Sequence, residues 1–276
     1  MHIDIKQKRQ KRKRILLTIF LLLVLGLTIY LLLSKKTPKQ DVQPTPQFEE
    51  EIEEPKPEEE IPQGPLFEEL FPIIDEQQAY VVVPTRIDSS NPPTLIIYSH
   101  GSNTTVTQNM EDQFMKDLQQ YAVLFTSHNY IFSASNQHGV NWGSKSAIQD
   151  TINIKNWVAE NYNIQPKIFL IGFSMGGLPT MNFATTYPEI IQKIALLAPT
   201  VKSSEWNQTR ADKLSDMDIK LWHGNRDVNV PYSYSVSFVK KLSGYGIPIE
   251  FITLEGKTHF DIDTEYSQEI LEFFNS

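Results

Sequence analysis

The sequence predicts an α/β domain over residues 66–276, with a mostly parallel central sheet and helices on both faces. Short runs rich in β-branched and aromatic residues alternate with stretches whose apolar residues recur every three or four positions, as in amphipathic helices. Strands that are separated by helices need crossover connections, and these connections are typical of a parallel sheet. Hydrophobic residues make up 40% of the chain, which is enough to bury the core of such a domain.

The expected elements follow in order along the chain. One helical stripe is formed by Met110, Phe114, Leu118 and Tyr121. The region before residue 95 provides only about one strand, and the stretch 199–217 is too short for a sizeable cap domain. We therefore expect Trp206 to belong to a small lid at most. The predicted strands cover residues 79–83, 95–99, 130–134, 167–171, 193–197, 219–222 and 249–254.

The N-terminal part of the chain is predicted to be a membrane anchor followed by a linker. Residues 1–14 are basic, and residues 15–33 are almost entirely apolar. At about 1.5 Å per residue, a helix over 15–33 spans roughly 28 Å, close to the hydrocarbon thickness of a bilayer. The run has no small-residue cleavage site, which favours an uncleaved signal-anchor over a signal peptide. The basic flank predicts a cytoplasmic N-terminus and an extracytoplasmic domain. Residues 34–65 are rich in Pro and Glu and predict an extended, solvated linker.

The charge and cysteine content exclude several classes of protein. Residues 1–36 carry nine Lys/Arg and one Asp, whereas the whole chain has a formal net charge of −8, so residues 37–276 carry −16. An acidic body of this kind repels the phosphates of nucleic acid, and we expect no nucleic-acid partner. The chain has no cysteine, which rules out disulfides, thiolate metal sites and a cysteine nucleophile.

The strongest motif is a glycine-flanked serine at residues 172–176, with the sequence Gly-Phe-Ser-Met-Gly. An apolar strand precedes it and a helical pattern follows. In that context the serine occupies a sharp turn that exposes its hydroxyl at the carboxyl end of the strand, and the glycines remove side chains that would collide there. Ser174 is therefore the predicted nucleophile.

A serine hydroxyl needs a base to take its proton, and His259 is the predicted base. It follows the last predicted strand, so it lies at the same sheet edge as Ser174. His100 and His223 each end a strand before a glycine, and we expect them to support loops. His128 precedes a strand, and the role of His138 stays open.

The base in turn needs an acid to fix its tautomer, and Asp227 is the predicted acid. It follows strand 219–222, and the order Ser174, Asp227, His259 is the serine–acid–histidine order required on this kind of sheet. The competing carboxylates are excluded by position. Asp212, Asp216 and Asp218 lie at the wrong end of a strand, and Asp261 and Asp263 are too close to the base in sequence.

Two backbone amides are predicted to stabilise the oxyanion. One is the N–H of Met175, at the start of a helix where amides lack partners. The other is the N–H of Ser102, in the loop after strand 95–99, where Gly101 allows a close approach. The polar loop 136–143 follows strand 130–134 and should lie at the same cleft. Its His138 and Trp142 are candidate substrate-binding residues, with a packed turn as the alternative.

Taken together, these motifs resemble the α/β-hydrolase superfamily over residues 78–276, in its serine esterase and prolyl-oligopeptidase-like branches. The segment His223-Gly224-x-x-Asp227-x-x-Val230-Pro231 looks like the acid loop of those branches. The resemblance implies Ser174 as nucleophile, Asp227 as acid and His259 as general base, with no cofactor and no metal.

The function predicted from the sequence is a membrane-anchored, extracytoplasmic serine hydrolase that cleaves a small ester through an acyl-enzyme. Its partners would be that substrate and, through residues 15–33, a lipid bilayer. Two alternatives stay open: a prolyl-oligopeptidase-like serine peptidase acting on short peptides, and a non-catalytic binding domain on a stalk. The sequence does not indicate an oligomeric state.

Overall fold

A computed structural model describes residues 66–276, which form a central sheet with helices on both faces. The strands are β1 (Phe67–Leu70), β2 (Ile73–Ile74), β3 (Gln77–Pro84), β4 (Thr94–Ser99), β5 (Tyr130–Ser135), β6 (Ile168–Phe173), β7 (Ile191–Leu197), β8 (Asp218–Gly224) and β9 (Glu250–Leu254). The helices are α1 (Gln113–Thr126), α2 (Lys145–Asn161), α3 (Gly177–Thr186), α4 (Gln208–Ala211), α5 (Tyr232–Ser243) and α6 (Ser267–Asn275).

The strand order is β1-β3-β5-β4-β6-β7-β8-β9, with β2 paired to β3 outside this path. Strands β5, β4, β6, β7, β8 and β9 are parallel, whereas β3 is antiparallel to β1, β2 and β5. All the parallel strands share one carboxyl edge, so the loops that follow β4, β6, β8 and β9 meet there.

The core has two layers because both faces of the sheet are covered. Helices α1 and α6 pack on one face, over an aromatic cluster that includes Tyr98, Tyr121, Phe125 and Phe132. Helices α2, α3 and α5 cover the other face through aliphatic residues of alternate strand positions. Successive residues of a strand point to opposite faces, which is why the central strands are apolar throughout.

The predicted α/β-hydrolase fold is confirmed, and two details of the prediction are wrong. Three strands, not one, precede residue 95. Strand β1 is short, contains two glutamates and is only partly buried at the sheet edge, so it lacks the apolar alternation that marks a strand. Trp206 forms no lid, because it is buried, with its ring centroid 5.4 Å from that of Phe238 in α5.

The predicted anchor (15–33) and linker (34–65) lie outside the described residues. Within residues 66–276, no helix has the length and apolar character that a membrane span requires.

Candidate active site

Ser174 lies at the sharp turn between β6 and α3, in a short 3₁₀ segment, Ser174–Gly176. Its backbone has a φ of 54°, the left-handed region that is unfavourable for a side chain other than glycine. The turn also brings two loops into very close approach, since a Cβ at Gly176 would lie 1.9 Å from the carbonyl oxygen of Ser99. The glycine is required there because β4 ends directly against the turn.

His259 begins a 3₁₀ turn, His259–Asp261, after β9. The turn is capped from both sides, because the Thr258 side chain and the Asp261 carboxylate each bond the other residue's backbone amide. The imidazole stacks on the Phe173 ring, with the centroids 5.2 Å apart. These contacts fix the orientation of the ring.

Asp227 lies in the turn after β8, and both of its oxygens are bonded. Oδ1 accepts the backbone N–H groups of Asn229 and Val230 at 2.8 and 2.9 Å. Oδ2 lies 2.7 Å from Nδ1 of His259 and 3.1 Å from Nε2 of His223. Burial alone would raise the pKa of Asp227, but the hydrogen bonds from the two histidines and Val230 outweigh it and hold that pKa well below its usual value. Asp227 is therefore ionised at neutral pH.

The three side chains form one continuous hydrogen-bonded chain. Nε2 of His259 lies 2.9 Å from Oγ of Ser174, while Nδ1 faces the Asp227 carboxylate. Since a carboxylate can only accept, Nδ1 carries the proton, and Nε2 is left to accept the serine hydroxyl. All three residues are buried, with exposed fractions of 5 to 8%. This arrangement can withdraw a proton from Ser174 and stabilise the resulting imidazolium.

His223 is a supporting residue whose partners the sequence did not indicate. Its Nε2 faces Asp227 and also the Val230 carbonyl at 3.0 Å, while its Nδ1 lies 2.7 Å from the Ser235 hydroxyl. The ring is fully buried and connects the turn that carries Asp227 to Ser235 in α5. No local pattern predicts this contact, because His223 lies in β8 and Asp227 in the turn that follows it.

The loop after β4 carries the predicted oxyanion amide of Ser102. Gly101 and Ser102 both line the cleft beside Ser174. The buried ring of His100 lies within hydrogen-bonding distance of two backbone oxygens, 2.7 Å from that of Gly101 and 2.9 Å from that of Asn136. His100 therefore connects this loop to the loop after β5. Met175, the other predicted donor, follows Ser174 in the 3₁₀ turn and is fully buried.

A cleft of about 420 Å³ opens above Ser174. Trp142 lines it and is 58% exposed. His138, in contrast, does not lie among the lining residues, because its Nδ1 is bonded at 2.6 Å to the buried carboxylate of Asp150 in α2. The structure thus brings Trp142 but not His138 to the cleft. The lining residues are Gly101, Ser102, Asn103, Thr104, Phe114, Asp117, Trp142, Phe173, Ser174, Thr200, Asn229, Val230, Pro231, Tyr234, His259, Phe260 and Asp263.

Comparison with known protein families gives an assignment that agrees with this geometry. The sequence profile of phospholipases and carboxylesterases matches residues 75–276, nearly all of the described domain. The chain belongs to the phospholipase/carboxylesterase family. This family is one of α/β hydrolases.

Individual proteins share only 16 to 30% identity with this member of the phospholipase/carboxylesterase family. A homoserine O-acetyltransferase of Thermobifida fusca is 30% identical over 136 residues, which are 47% of this chain and 34% of the relative. A thermostable esterase superposes with a TM-score of 0.57 at 19% identity, covering 75% of this chain and 62% of the esterase. An acylaminoacyl peptidase of Pyrococcus horikoshii superposes with a TM-score of 0.58 at 16% identity, covering 77% of this chain and 42% of the peptidase. The chain thus spans less than two thirds of each, and the two structures share its fold.

Proposed function

We propose that the domain is a serine hydrolase that cleaves carboxylic esters through an acyl-enzyme. The observation that carries this proposal is the unbroken hydrogen-bonded chain from Ser174 through His259 to Asp227 at the floor of an open cleft. Esters are preferred over amides as substrates because the family is one of phospholipases and carboxylesterases.

In the first half-reaction, Oγ of Ser174 attacks the carbonyl carbon while Nε2 of His259 takes the hydroxyl proton. The imidazolium then gives this proton to the leaving alkoxide, the C–O bond breaks, and the alcohol departs. The acyl group stays on Ser174 as an ester. Water, deprotonated by the same nitrogen, attacks this ester, and the carboxylic acid is released with Ser174 restored. Asp227 stays ionised throughout and stabilises the imidazolium.

The oxyanion that forms in both steps would be bound by the backbone N–H groups of Ser102 and Met175. Each such donor stabilises a transition state by roughly 3 kcal/mol. Met175 is fully buried, and the loop that carries Ser102 is connected through the buried His100 to the loop after β5, so these main-chain donors need little reorganisation when charge develops on the carbonyl oxygen.

A fluorophosphonate probe tests the nucleophile directly. The wild-type full-length chain should be labelled, and Ser174→Ala should not. Ser203→Ala, on a short turn outside the cleft, serves as the matched control and should be labelled like wild type. Equal labelling of wild type and Ser174→Ala would reject Ser174. Parallel assays with p-nitrophenyl esters and with peptidyl amides of the same acyl group separate an esterase from a peptidase.

Transfer of the acyl group to an alcohol is a second candidate activity. The 30% identity over 136 residues to a homoserine O-acetyltransferase favours it, because such an enzyme passes an acetyl group to the oxygen of homoserine. The same acyl-enzyme would serve both reactions. If transfer operates, an added amino alcohol should divert the acyl group to a new ester while the release of the first alcohol is unchanged. Hydrolysis in the presence of millimolar acceptor without any new ester would reject transfer.

The proposal also includes a location: residues 15–33 anchor the chain in a membrane, with the hydrolase domain outside the cytoplasm. The length of the apolar run and the basic residues before it support this. Full-length protein should stay with membranes after extraction at high pH, and protease added outside intact cells should remove the domain. Release into the soluble fraction, or protection from outside protease, would contradict it.

A further inference from the structure

Asp263 lies four residues after the proposed base and is held by two fully buried tyrosines. Tyr98 donates its hydroxyl to both carboxylate oxygens of Asp263, at 3.0 Å each. Tyr121 donates to Oδ1 at 3.1 Å and to the Asp263 backbone carbonyl at 2.9 Å. Asp263 also lines the cleft together with His259. The reaction described above does not use this group.

The two tyrosines connect Asp263 to the rest of the site. Tyr98 is in β4, two residues before His100, and so belongs to the strand that leads into the oxyanion loop. Tyr121 is in α1, and its ring packs against that of Tyr98 with the centroids 5.5 Å apart. Burial raises the pKa values of both hydroxyls well above their ordinary range, so both remain donors at any working pH. The network therefore joins the segment that carries His259 to the strand that precedes the oxyanion loop.

We propose that Asp263 is a positioning residue for the reaction: its ionised carboxylate, bonded to Tyr98 and Tyr121, holds the 259–263 segment and thereby aligns His259 with Ser174. This inference rests on the proposed function. Protonation places a donor O–H where the carboxylate accepts from a tyrosine hydroxyl, so the hydrogen bonds to Tyr98 and Tyr121 must rearrange when Asp263 gains a proton. In this proposal the ionised network is the one that aligns His259 with Ser174.

Burial and the groups around Asp263 set the pH at which its carboxyl ionises. Burial raises the pKa of Asp263 to about 6, and this outweighs the hydrogen bonds from Tyr98 and Tyr121, which lower it. Asp117, on α1, raises that pKa further, and His259 lowers it. A residue with this perturbation beside a reactive centre is typical of a functional site. Asp263 therefore titrates in a range where enzymes are readily assayed.

The experiment is the pH dependence of kcat/KM for the full-length chain with an uncharged ester. Since activity requires the ionised form of Asp263, log kcat/KM of wild type should fall more steeply below about pH 6 than that of Asp263→Asn, by one additional unit of slope. The kcat of Asp263→Asn at pH 8 should fall by about ten- to a hundredfold through misalignment, with KM little changed.

Two further variants move the titration of Asp263 in opposite directions. Tyr98→Phe removes a donor to the carboxylate but keeps the packed ring, so the steep region should shift to higher pH. Asp117→Asn removes a neighbouring negative charge, so the steep region of its profile should shift to lower pH. Glu265→Gln is the matched control: this exposed glutamate lies two residues further along the segment and pairs with Lys257 at 3.2 Å. Its profile should match that of wild type.

The possible results distinguish a failure of the role of Asp263 from a failure of the proposed function. An equally steep fall below about pH 6 in wild type and in Asp263→Asn, or shifts of Tyr98→Phe and Asp117→Asn in the same direction, would overturn the role of Asp263 while the esterase stands. If Asp263→Asn does not fold, as circular dichroism would show, the opposite shifts of the other two variants decide. A wild-type chain that cleaves no ester and takes no fluorophosphonate refutes the proposed function, and this inference with it.

Discussion

His223 and Asp227 are bonded to each other in the buried interior, with Nε2 of His223 3.1 Å from the same carboxylate oxygen that His259 approaches at 2.7 Å. The acid thus faces two imidazoles on one oxygen and two backbone amides on the other. A carboxylate held on four sides cannot rotate, and Asp227 presents one fixed acceptor to His259.

His223→Ala should weaken both catalysis and folding. It removes one donor from Asp227 and leaves the Val230 carbonyl and the Ser235 hydroxyl without their partner. Leaving buried polar groups unpaired costs about 1–3 kcal/mol each. We therefore expect a lower urea midpoint and a reduced kcat on esters. His128→Ala, which changes an exposed histidine, is the control and should alter neither; a wild-type midpoint in His223→Ala would contradict the structure.

Gly176→Ala should abolish activity. The added Cβ would lie 1.9 Å from the Ser99 carbonyl oxygen, so β4 and the serine turn would have to separate. This displaces Ser174 from His259 and moves the strand that leads to the loop carrying Ser102. Gly244→Ala, where the nearest atom lies at 3.3 Å, should retain most activity. Ester hydrolysis and fluorophosphonate labelling of the two variants provide the comparison, and a fully active Gly176→Ala would disprove the close approach.

The stability difference between wild type and Asp263→Asn should depend on pH. The pKa of Asp263 is raised from 3.8 to about 6 in the folded chain, so folding favours the protonated carboxyl. The stabilisation is complete below about pH 4 and is lost as pH rises through about 6. Wild type should therefore lose up to roughly 3 kcal/mol relative to Asp263→Asn between pH 4 and pH 8.

Chemical unfolding of both proteins at several pH values measures this difference. Ser174→Ala serves as the control, since it changes no ionisable carboxyl and should show the same pH dependence as wild type. A constant difference between wild type and Asp263→Asn would show that the carboxyl titrates normally.

The charge of the cleft should select among substrates. Asp117 and Asp263 line it, and within residues 66–276 its lining includes no lysine or arginine. An ester with a quaternary ammonium group should therefore have a higher kcat/KM than a matched ester with a carboxylate. Added salt should reduce this ratio, because it screens the attraction. Asp117→Asn should reduce it as well, whereas Glu111→Gln, on an exposed residue outside the lining, should not. A ratio near 1 at low salt would contradict the prediction.

The positions of Ser174, Asp227 and His259 could be anticipated because each follows a strand, and parallel strands end at one edge. The structure brings the three side chains into contact, and their catalytic roles remain predictions. Strand β1 was missed because its two glutamates obscure the alternation. The direction of His138 depends on a buried carboxylate in α2, and no local pattern reveals that partner. The bond from Tyr98 to Asp263 joins residues 165 positions apart, and only the assembled sheet brings them together.

The turns that carry Asp227 and His259 are joined to each other by hydrogen bonds. The Arg226 amide donates to the Lys257 carbonyl at 3.0 Å, and the Gly256 amide donates to the Asn225 side chain at 2.9 Å. In protein engineering, segments 224–230 and 254–259 should therefore be grafted or randomised together. Libraries that seek altered selectivity belong instead at Trp142 and Tyr234, which border the cleft without any bond to that pair of turns.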